Sequence, residues 1–433
     1  MPIILFIIVT VVASLSAKEI SYRQLLLSAT ANSYQLKIRK SDELIERMRL
    51  ERLYADYYPN ISLSYNSEYN KNLAGMTSGV ESVGEDVISS TTHWQNSLSL
   101  NLNYELYNFG VREKNIGIAK EEVQVKKLLS CIEQKELFQN ILERYSNASK
   151  AFMQKEMQKK LLEFRKELFF LKKRLYSAGQ YSKIDLGDEA INIIDIERDL
   201  ENSLMLYQEN ITELSKLSHV DIDMQRDQLL PITKNESLPK PIYDNSPLAR
   251  KLKHQIKQKK EEIVMQRRSV LPTISLYSKY YLYGSDPKNL HDATASLESR
   301  SWNAGIALRL NLFEGFKYDA DLKRLKYELK RLEEEKELSR REFDYRTDTT
   351  YFRLKHLNEL EEKESALLKE TNEKVTMMRR LRKEQQVDST SALQANIEAL
   401  QRKLNLELER IEISKEFALL EILQSGEEDC NQL

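Results

Sequence analysis

The chain states one plan twice. Pro59-Asn60-Ile61-Ser62-Leu63 returns as Pro272-Thr273-Ile274-Ser275-Leu276, an offset of 213, and Leu106-Tyr107-Asn108 returns as Leu312-Phe313-Glu314, an offset of 206. Arg174-Leu175 returns at the same offset of 206 as Arg380-Leu381, so one connection in the second copy is seven residues shorter. A period near 200 residues is far too long for a solenoid, whose units span roughly 20–50 residues. The repeat therefore marks a duplicated half-structure.

Each copy reads in the same order. The first, 18–218, predicts helices at about 19–56, 110–178 and 184–218, with strands at about 57–70 and 94–108. The second, 248–425, predicts helices at about 246–270, 315–384 and 389–425, with strands at about 271–283 and 301–313. Residues 219–247 hold Pro231, Pro239, Pro241 and Pro247 and form the linker between copies, and 426–433 is a tail. Pro59 and Pro272 stop the preceding helices, because the residue before proline is pushed out of the α region. Ser246 and Pro247 suit the N-cap and first turn of the helix that restarts the second copy.

The strands are two-faced. Leu98, Leu100, Leu102, Tyr104 and Leu106 alternate with Ser97, Ser99, Asn101, Asn103 and Glu105, a period of two with one apolar and one polar side. Ala304, Ile306, Leu308, Leu310 and Leu312 repeat the pattern against Asn303, Arg309 and Asn311. The residues expected to face lipid are Leu98, Leu100, Leu102 and Leu106, with Ile306, Leu308 and Leu310 in the second copy. Tyr57, Tyr58, Trp94, Tyr107, Tyr277, Tyr281 and Trp302 cluster near strand ends, where an interfacial aromatic girdle would sit. Two hairpins of a water-soluble sandwich would alternate as well.

The helices argue against that sandwich. Neither Gly nor Pro occurs between Gly117 and Gly179, or between Gly315 and Gly426. Leu161, Phe164, Leu168, Leu171 and Leu175 step 3, 4, 3, 4, and Leu322, Leu325, Leu329 and Leu332 step 3, 4, 3, which is an a/d seam. A helix from Gly110 to Gly179 would be about 100 Å long at 1.5 Å per residue. Charged residues make up 31% of the chain, more than a compact domain of this size carries and suited to long solvated helices.

Residues 2–17 are apolar, end in small residues and meet Lys18-Glu19, the pattern of a signal peptide at 1–17 cut near Ala17. No Cys lies near that point to carry a lipid. Lys plus Arg (66) balances Asp plus Glu (67), which removes the electrostatic case for nucleic acid. The five histidines are scattered, and no HExxH, phosphate-cradling glycine loop or GxSxG elbow occurs. No catalytic residue, cofactor site or metal site is expected. Cys131 and Cys430 are too few for a disulfide framework, and spacing leaves their pairing open.

Four strands cannot close, and in a bilayer every strand edge must be paired, so several chains must share a barrel. The order of helix, (L/Y)-P-x-I-S-L strand, strand ending in L-(Y/F)-(N/E) with a glycine close behind, long helix, turn and helix, all twice, resembles the outer membrane efflux proteins, the TolC-like channels. The resemblance covers essentially 19–425. It implies a mixed α and transmembrane β fold with three chains building a 12-stranded outer-membrane barrel. That barrel continues into a long antiparallel α-helical coiled-coil barrel in the periplasm of a Gram-negative bacterium. The implied function is the exit duct of a tripartite efflux or type I secretion system. Such a duct passively conducts drugs, toxic compounds or polypeptides from a periplasmic adaptor and an inner-membrane transporter.

By the same resemblance the adaptor docks on the turns farthest from the membrane. Those positions are Arg174, Leu175, Gly179 and Ser182 in copy one and Arg380, Leu381, Val387 and Asp388 in copy two, where Gln385 replaces the turn glycine. Family members close the tunnel there, often with acidic residues that correspond here to Ser391 and Gln394; the first copy instead carries Asp185 and Asp188 at the equivalent spacing. Arg382 with Asp185 or Asp188 is the expected gate contact. Each of these residues also reads as helix capping or solvated charge. The alternative function is a non-conducting exported coiled-coil protein, structural or adhesive.

Overall fold

The computed structural model describes residues 18–71, 92–224, 226–233, 239–426 and 430. The expected signal peptide at 1–17, the Gly/Ser-rich stretch after β2 and most of the tail lie outside these residues. In chain order the elements begin with β1 (Glu19–Ile20), α1 (Tyr22–Asn32), α2 (Tyr34–Tyr54), β2 (Asn60–Lys71) and β3 (Thr92–Tyr107). Next come α3 (Val111–Ser177), α4 (Lys183–Ser218), β4 (Gln228–Leu229) and α5 (Pro247–Arg268). The rest of the second copy is β5 (Thr273–Asp286), α6 (Leu290–Ala295), β6 (Ser299–Arg309), α7 (Lys317–Lys383) and α8 (Ser389–Gln424). The long helices match in length between copies: α3 and α7 have 67 residues each, and α4 and α8 have 36 each. The chain forms two compact units, one of 42–126 with 252–335, the other of the remaining segments.

The strand-bearing unit holds one antiparallel sheet in the order β2-β3-β5-β6, with β2 and β6 at its edges. Its register sorts the side chains. Leu63 pairs with Leu100, Tyr65 with Leu98, Leu98 with Leu282, Leu100 with Tyr280, Tyr104 with Leu276 and Leu276 with Ile306. One face is thus largely apolar across all four strands, with Ser278 as a polar position in its middle and Ser67, Asn96 and Arg300 toward one end. The other carries Ser64 opposite Ser99, Asn101 opposite Lys279, and Lys279 opposite Asn303. On that face Gly305 lies under the Tyr277 ring, where a Cβ would meet the phenol at 2.8 Å.

The register corrects three sequence expectations. The β3–β5 pairing slips between Glu105 and Tyr107, a bulge that leaves Leu106 without a partner and puts Tyr107 opposite Ile274, in the apolar place. Leu310 lies beyond β6, whose last pair is Arg309 with Thr273. The residue before Thr273 is Pro272, which has no N–H to extend the ladder. Of the expected girdle, Tyr277 and Tyr281 fall on the polar face. Trp302 sits on the apolar face opposite Tyr280, and Trp94 packs against Tyr69 at 5.0 Å between ring centroids.

Each copy turns from strand to long helix through two consecutive left-handed residues. In copy one these are Phe109 (φ 55°) and Gly110 (φ 79°); in copy two they are Gly315 (φ 63°) and Phe316 (φ 62°). Glycine enters this region freely and a bulky residue does not, so each reversal contains one of each, in opposite order. Ion pairs then lace the helices of this unit: Lys114–Glu261 and Lys257–Glu121 at 2.5 Å join α3 to α5, and Lys259–Glu328 at 2.9 Å joins α5 to α7.

The helical unit departs from the expected single helix over 19–56. Glu19 and Ile20 instead pair in parallel with Gln228 and Leu229, a strand too short to leave a periodic signal. Ser33 then breaks the helix, because its extended backbone and its Oγ, which accepts from the Leu36 N–H at 3.4 Å, cap a new one. Ile20, Leu25 and Ala29 pack with Ile141, Tyr145, Ile211 and Leu214 in the principal core. The Tyr145 hydroxyl reaches the carbonyls of Ile20 (3.0 Å) and Leu230, and burial raises its pKa, keeping it a donor at physiological pH. Farther along α3 the seam residues Leu161, Phe164, Leu168 and Leu171 pack with Ile196, Leu393, Ile397 and Leu400. Cys131 and Cys430 form a disulfide, Cα–Cα 5.6 Å, tying the tail to α3.

Among the described residues no helix is long and apolar enough to cross a membrane. The two-faced sheet carries the first prediction. Leu100→Arg places a charge on the apolar face and should cost about 2 to 4 kcal/mol at mid-bilayer. Asn103→Arg, on the polar face, should cost under about 0.5 kcal/mol. The yield of assembled protein in outer-membrane extracts checks this, and equal loss from both substitutions would contradict a lipid-facing assignment.

Candidate functional site: the helix-turn-helix tips

The α3–α4 and α7–α8 turns are built alike from unlike residues. In copy one the Gln180 N–H donates to the Leu175 carbonyl and the Gly179 N–H to the Tyr176 carbonyl, both at 2.9 Å. In copy two the Gln386 N–H donates to the Leu381 carbonyl at 2.9 Å and the Gln385 N–H to the Arg382 carbonyl at 3.1 Å. This is the six-to-one, five-to-two pattern of a Schellman ending, which needs a left-handed residue after the cap. Gly179 supplies it at φ 74° without strain, and Gln385 takes φ 58° with a Cβ. The departure seen in the sequence therefore leaves the turn geometry unchanged.

The helix that follows each turn is capped by a serine and an aspartate in reciprocal positions. Ser182 is the N-cap of α4: its Oγ accepts from the Asp185 N–H at 3.1 Å, and Asp185 Oδ2 accepts from the Ser182 N–H, also at 3.1 Å. The Ser182 hydroxyl donates to the same carboxylate at 2.6 Å. In α8 Asp388 is the N-cap, accepting from the Ser391 N–H at 3.2 Å and from the Thr390 hydroxyl. Both carboxyls titrate below the usual range, Asp185 through the hydrogen bonds from Ser182, Asp388 through those from Ser391 and Thr390. With folded values lowered, each cap contributes fully above about pH 4 and is lost as the pH falls through the lowered value.

Of the remaining expected residues, Arg174, Arg380 and Arg382 are exposed, and Leu175, Leu381 and Val387 are half-buried. Asp188 and Gln394 are exposed, and Ser391 is half-buried and engaged in the α8 cap. Arg382 forms no ion pair with Asp185 or Asp188 among the described residues of one chain. A shallow groove along α7, lined by Leu368, Asn372, Met377 and Arg380, runs up to the second turn.

Sequence reasoning missed the polar clasp behind the first turn. Glu189, 1% exposed, accepts from Arg165 at 3.1 Å and Lys172 at 2.9 Å, so α4 is held to α3 by one buried carboxylate between two cations. Arg165 and Lys172 lie seven residues apart, either side of buried Leu168, and that heptad spacing on the seam is the signal. In copy two Lys374–Glu398 at 2.8 Å and Arg379 to Asn396 at 3.1 Å play this part closer to the surface. Among the described residues no group of three or more His, Cys, Asp or Glu gathers where a metal could bind.

The model of the outer membrane efflux protein family matches residues 47–218 and 238–418, once in each copy. Among solved structures the chain is similar to CusC, with TM-score 0.77 and 16% identity over 94% of this chain and 92% of that one. It is also similar to the Campylobacter jejuni CmeC outer membrane channel, with TM-score 0.75 and 14% identity over 93% and 84%. A third is the open state of the Neisseria gonorrhoeae MtrE outer membrane channel, with TM-score 0.72 and 14% identity over 96% and 94%. Comparison with curated protein sequences gives no match. The chain belongs to the outer membrane efflux protein family, with a TolC-like fold and a place in the outer membrane.

The tips generate a stability prediction. Gln385→Gly should relieve the left-handed cost and stabilise the protein by about 1 kcal/mol, while Gly179→Ala should destabilise it by a similar amount. Thermal unfolding of the detergent-solubilised protein reads both. A loss of stability on Gln385→Gly would mean that the Gln side chain holds the turn.

Proposed function

We propose that three copies of this chain form one conduit through the outer membrane and periplasm, the passive exit of a tripartite efflux or type I secretion system. The observation that carries the reading is the sheet: one apolar face, one polar face and two open edges, β2 and β6, on only four strands. Three sheets joined β6 to β2 make twelve strands with no free edge, and the polar faces then line water. The equal helix lengths in the two copies support a helical barrel whose members end at a common level. The turns at Gly179 and Gln385 are then the docking points for a periplasmic adaptor that links the duct to an inner-membrane transporter. The cargo reading, small toxic compounds or polypeptides, follows the family.

The resting gate is assigned to Arg382 and the carboxylates after the first turn. Asp185 is occupied by its own cap, so Asp188 is the freer partner, reached across neighbouring chains. One exposed pair contributes under about 1 kcal/mol, enough to bias a gate and too little to lock it. Arg382→Ser should raise single-channel conductance in planar bilayers, and Asp188→Ser should add little to it. Unchanged conductance in both single variants and in the double variant removes the gate assignment and leaves the channel intact.

Matched length is tested separately. Deleting one heptad from α3 between 126 and 175 shortens one member of the set by about 10 Å and should abolish export. Adding the equivalent deletion in α7, offset by 206, should restore part of it. Normal export by the single deletion would remove the tunnel reading in favour of a non-conducting coiled-coil protein.

A further inference from the structure

We propose that cleavage after Ala17 makes Lys18 the first mature residue and that its new α-ammonium group pairs with Asp227, locking β1 onto β4. Hydrolysis of the Ala17–Lys18 bond by a signal peptidase consumes one water. It leaves a carboxylate on Ala17 and an amine on Lys18 that is protonated below about pH 8. The backbone nitrogen that becomes this amine lies 3.3 Å from Asp227 Oδ1.

Both partners are fixed independently of the bond between them. The Lys18 carbonyl accepts from the Gln228 N–H at 3.1 Å, and the Ile20 carbonyl accepts from the Leu230 N–H at 3.0 Å, so the ladder holds Lys18 in place. Asp227 Oδ2 accepts from the Asp223 N–H at 2.9 Å, which turns Oδ1 toward Lys18. As an internal amide the nitrogen offers one neutral donor. As a chain start it offers three donors and a positive charge, and a charge-assisted bond is roughly twice as strong. The other charged groups nearby are Glu19 on β1 and the Asp223–Arg226 pair at 3.7 Å. Tyr207 of α4 also faces the site, its hydroxyl pKa raised by burial and then by the Asp227 charge.

The pair sits at the entrance to the principal core, where Ile20 is 1% exposed beneath the Tyr145 hydroxyl. The lock forms only after export and processing, so leader removal becomes an ordering step for the N-terminal strand and the inter-copy linker. The inference does not depend on what the duct carries, or on its conducting at all.

The test begins with mass spectrometry of the mature N-terminus in the purified full chain, where Lys18 is the expected first residue. Hydrogen exchange of peptides covering 18–22 and 226–231 is then compared across four proteins. These are wild type, Asp227→Asn, a chain recut to begin at Ala17, and the combination. Asparagine keeps the oxygen that accepts from the Asp223 N–H, so the turn survives and only the charge is lost. Exchange should quicken about two- to fivefold in Asp227→Asn and by a similar factor in the chain begun at Ala17. The combination should match either one alone. A different mature start, unchanged exchange in Asp227→Asn, or additive effects in the combination would each overturn the proposal.

Discussion

The constraint on which the rest of the architecture depends is the unpaired edge. For a chain placed in the outer membrane, lipid offers no partner for the N–H and C=O groups along the edge strands β2 and β6. The four strands of a single chain cannot close to pair them. The duplication supplies two strands and a matched pair of long helices from each copy, and the C-terminal tail is tied back to α3 by the disulfide. The disulfide also fits an exported protein, because such bonds persist in oxidising compartments.

Polar chemistry does the fastening that apolar burial cannot. The long helices are too charged to form one oil-filled core, and their ion pairs act at chosen levels: Lys114 with Glu261 near the sheet, and Glu189 between Arg165 and Lys172 near the tip. A buried carboxylate with two cations adds little net stability over an apolar pair, yet losing one member leaves an uncompensated charge. Such contacts fix the register of α4 along α3, because sliding either helix by one residue would strand Glu189.

Much of this was legible in the sequence, and for physical reasons. A period of two survives in any strand with one wet face, so Leu98, Leu100 and Leu102 declared their side, as did Ile306 and Leu308. The absence of Gly and Pro declared the long helices. What stayed hidden has no periodic signature. A bulge at Leu106 changes the face of everything after it without altering the pattern before it. Leu310 continues the alternation but has no ladder partner, because Pro272 ends the neighbouring strand. The β1–β4 contact joins segments about 200 residues apart through two residues each, and the Cys131–Cys430 bond likewise needs proximity that spacing cannot give. At the tips, a missing glycine suggested an altered turn, whereas Gln385 tolerates the same backbone.

The two copies keep their geometry while exchanging residues within it. Phe-Gly becomes Gly-Phe at the strand-to-helix reversal, and the Ser182–Asp185 cap becomes Asp388–Ser391. In a trimer, the ring of six turns therefore alternates: a glycine turn with a serine cap, then a glutamine turn with an aspartate cap. Its backbone has sixfold pseudosymmetry and its side chains only threefold. A partner with six equivalent copies would meet two kinds of socket, so its subunits would bind as three equivalent pairs whose two members sit in different sockets.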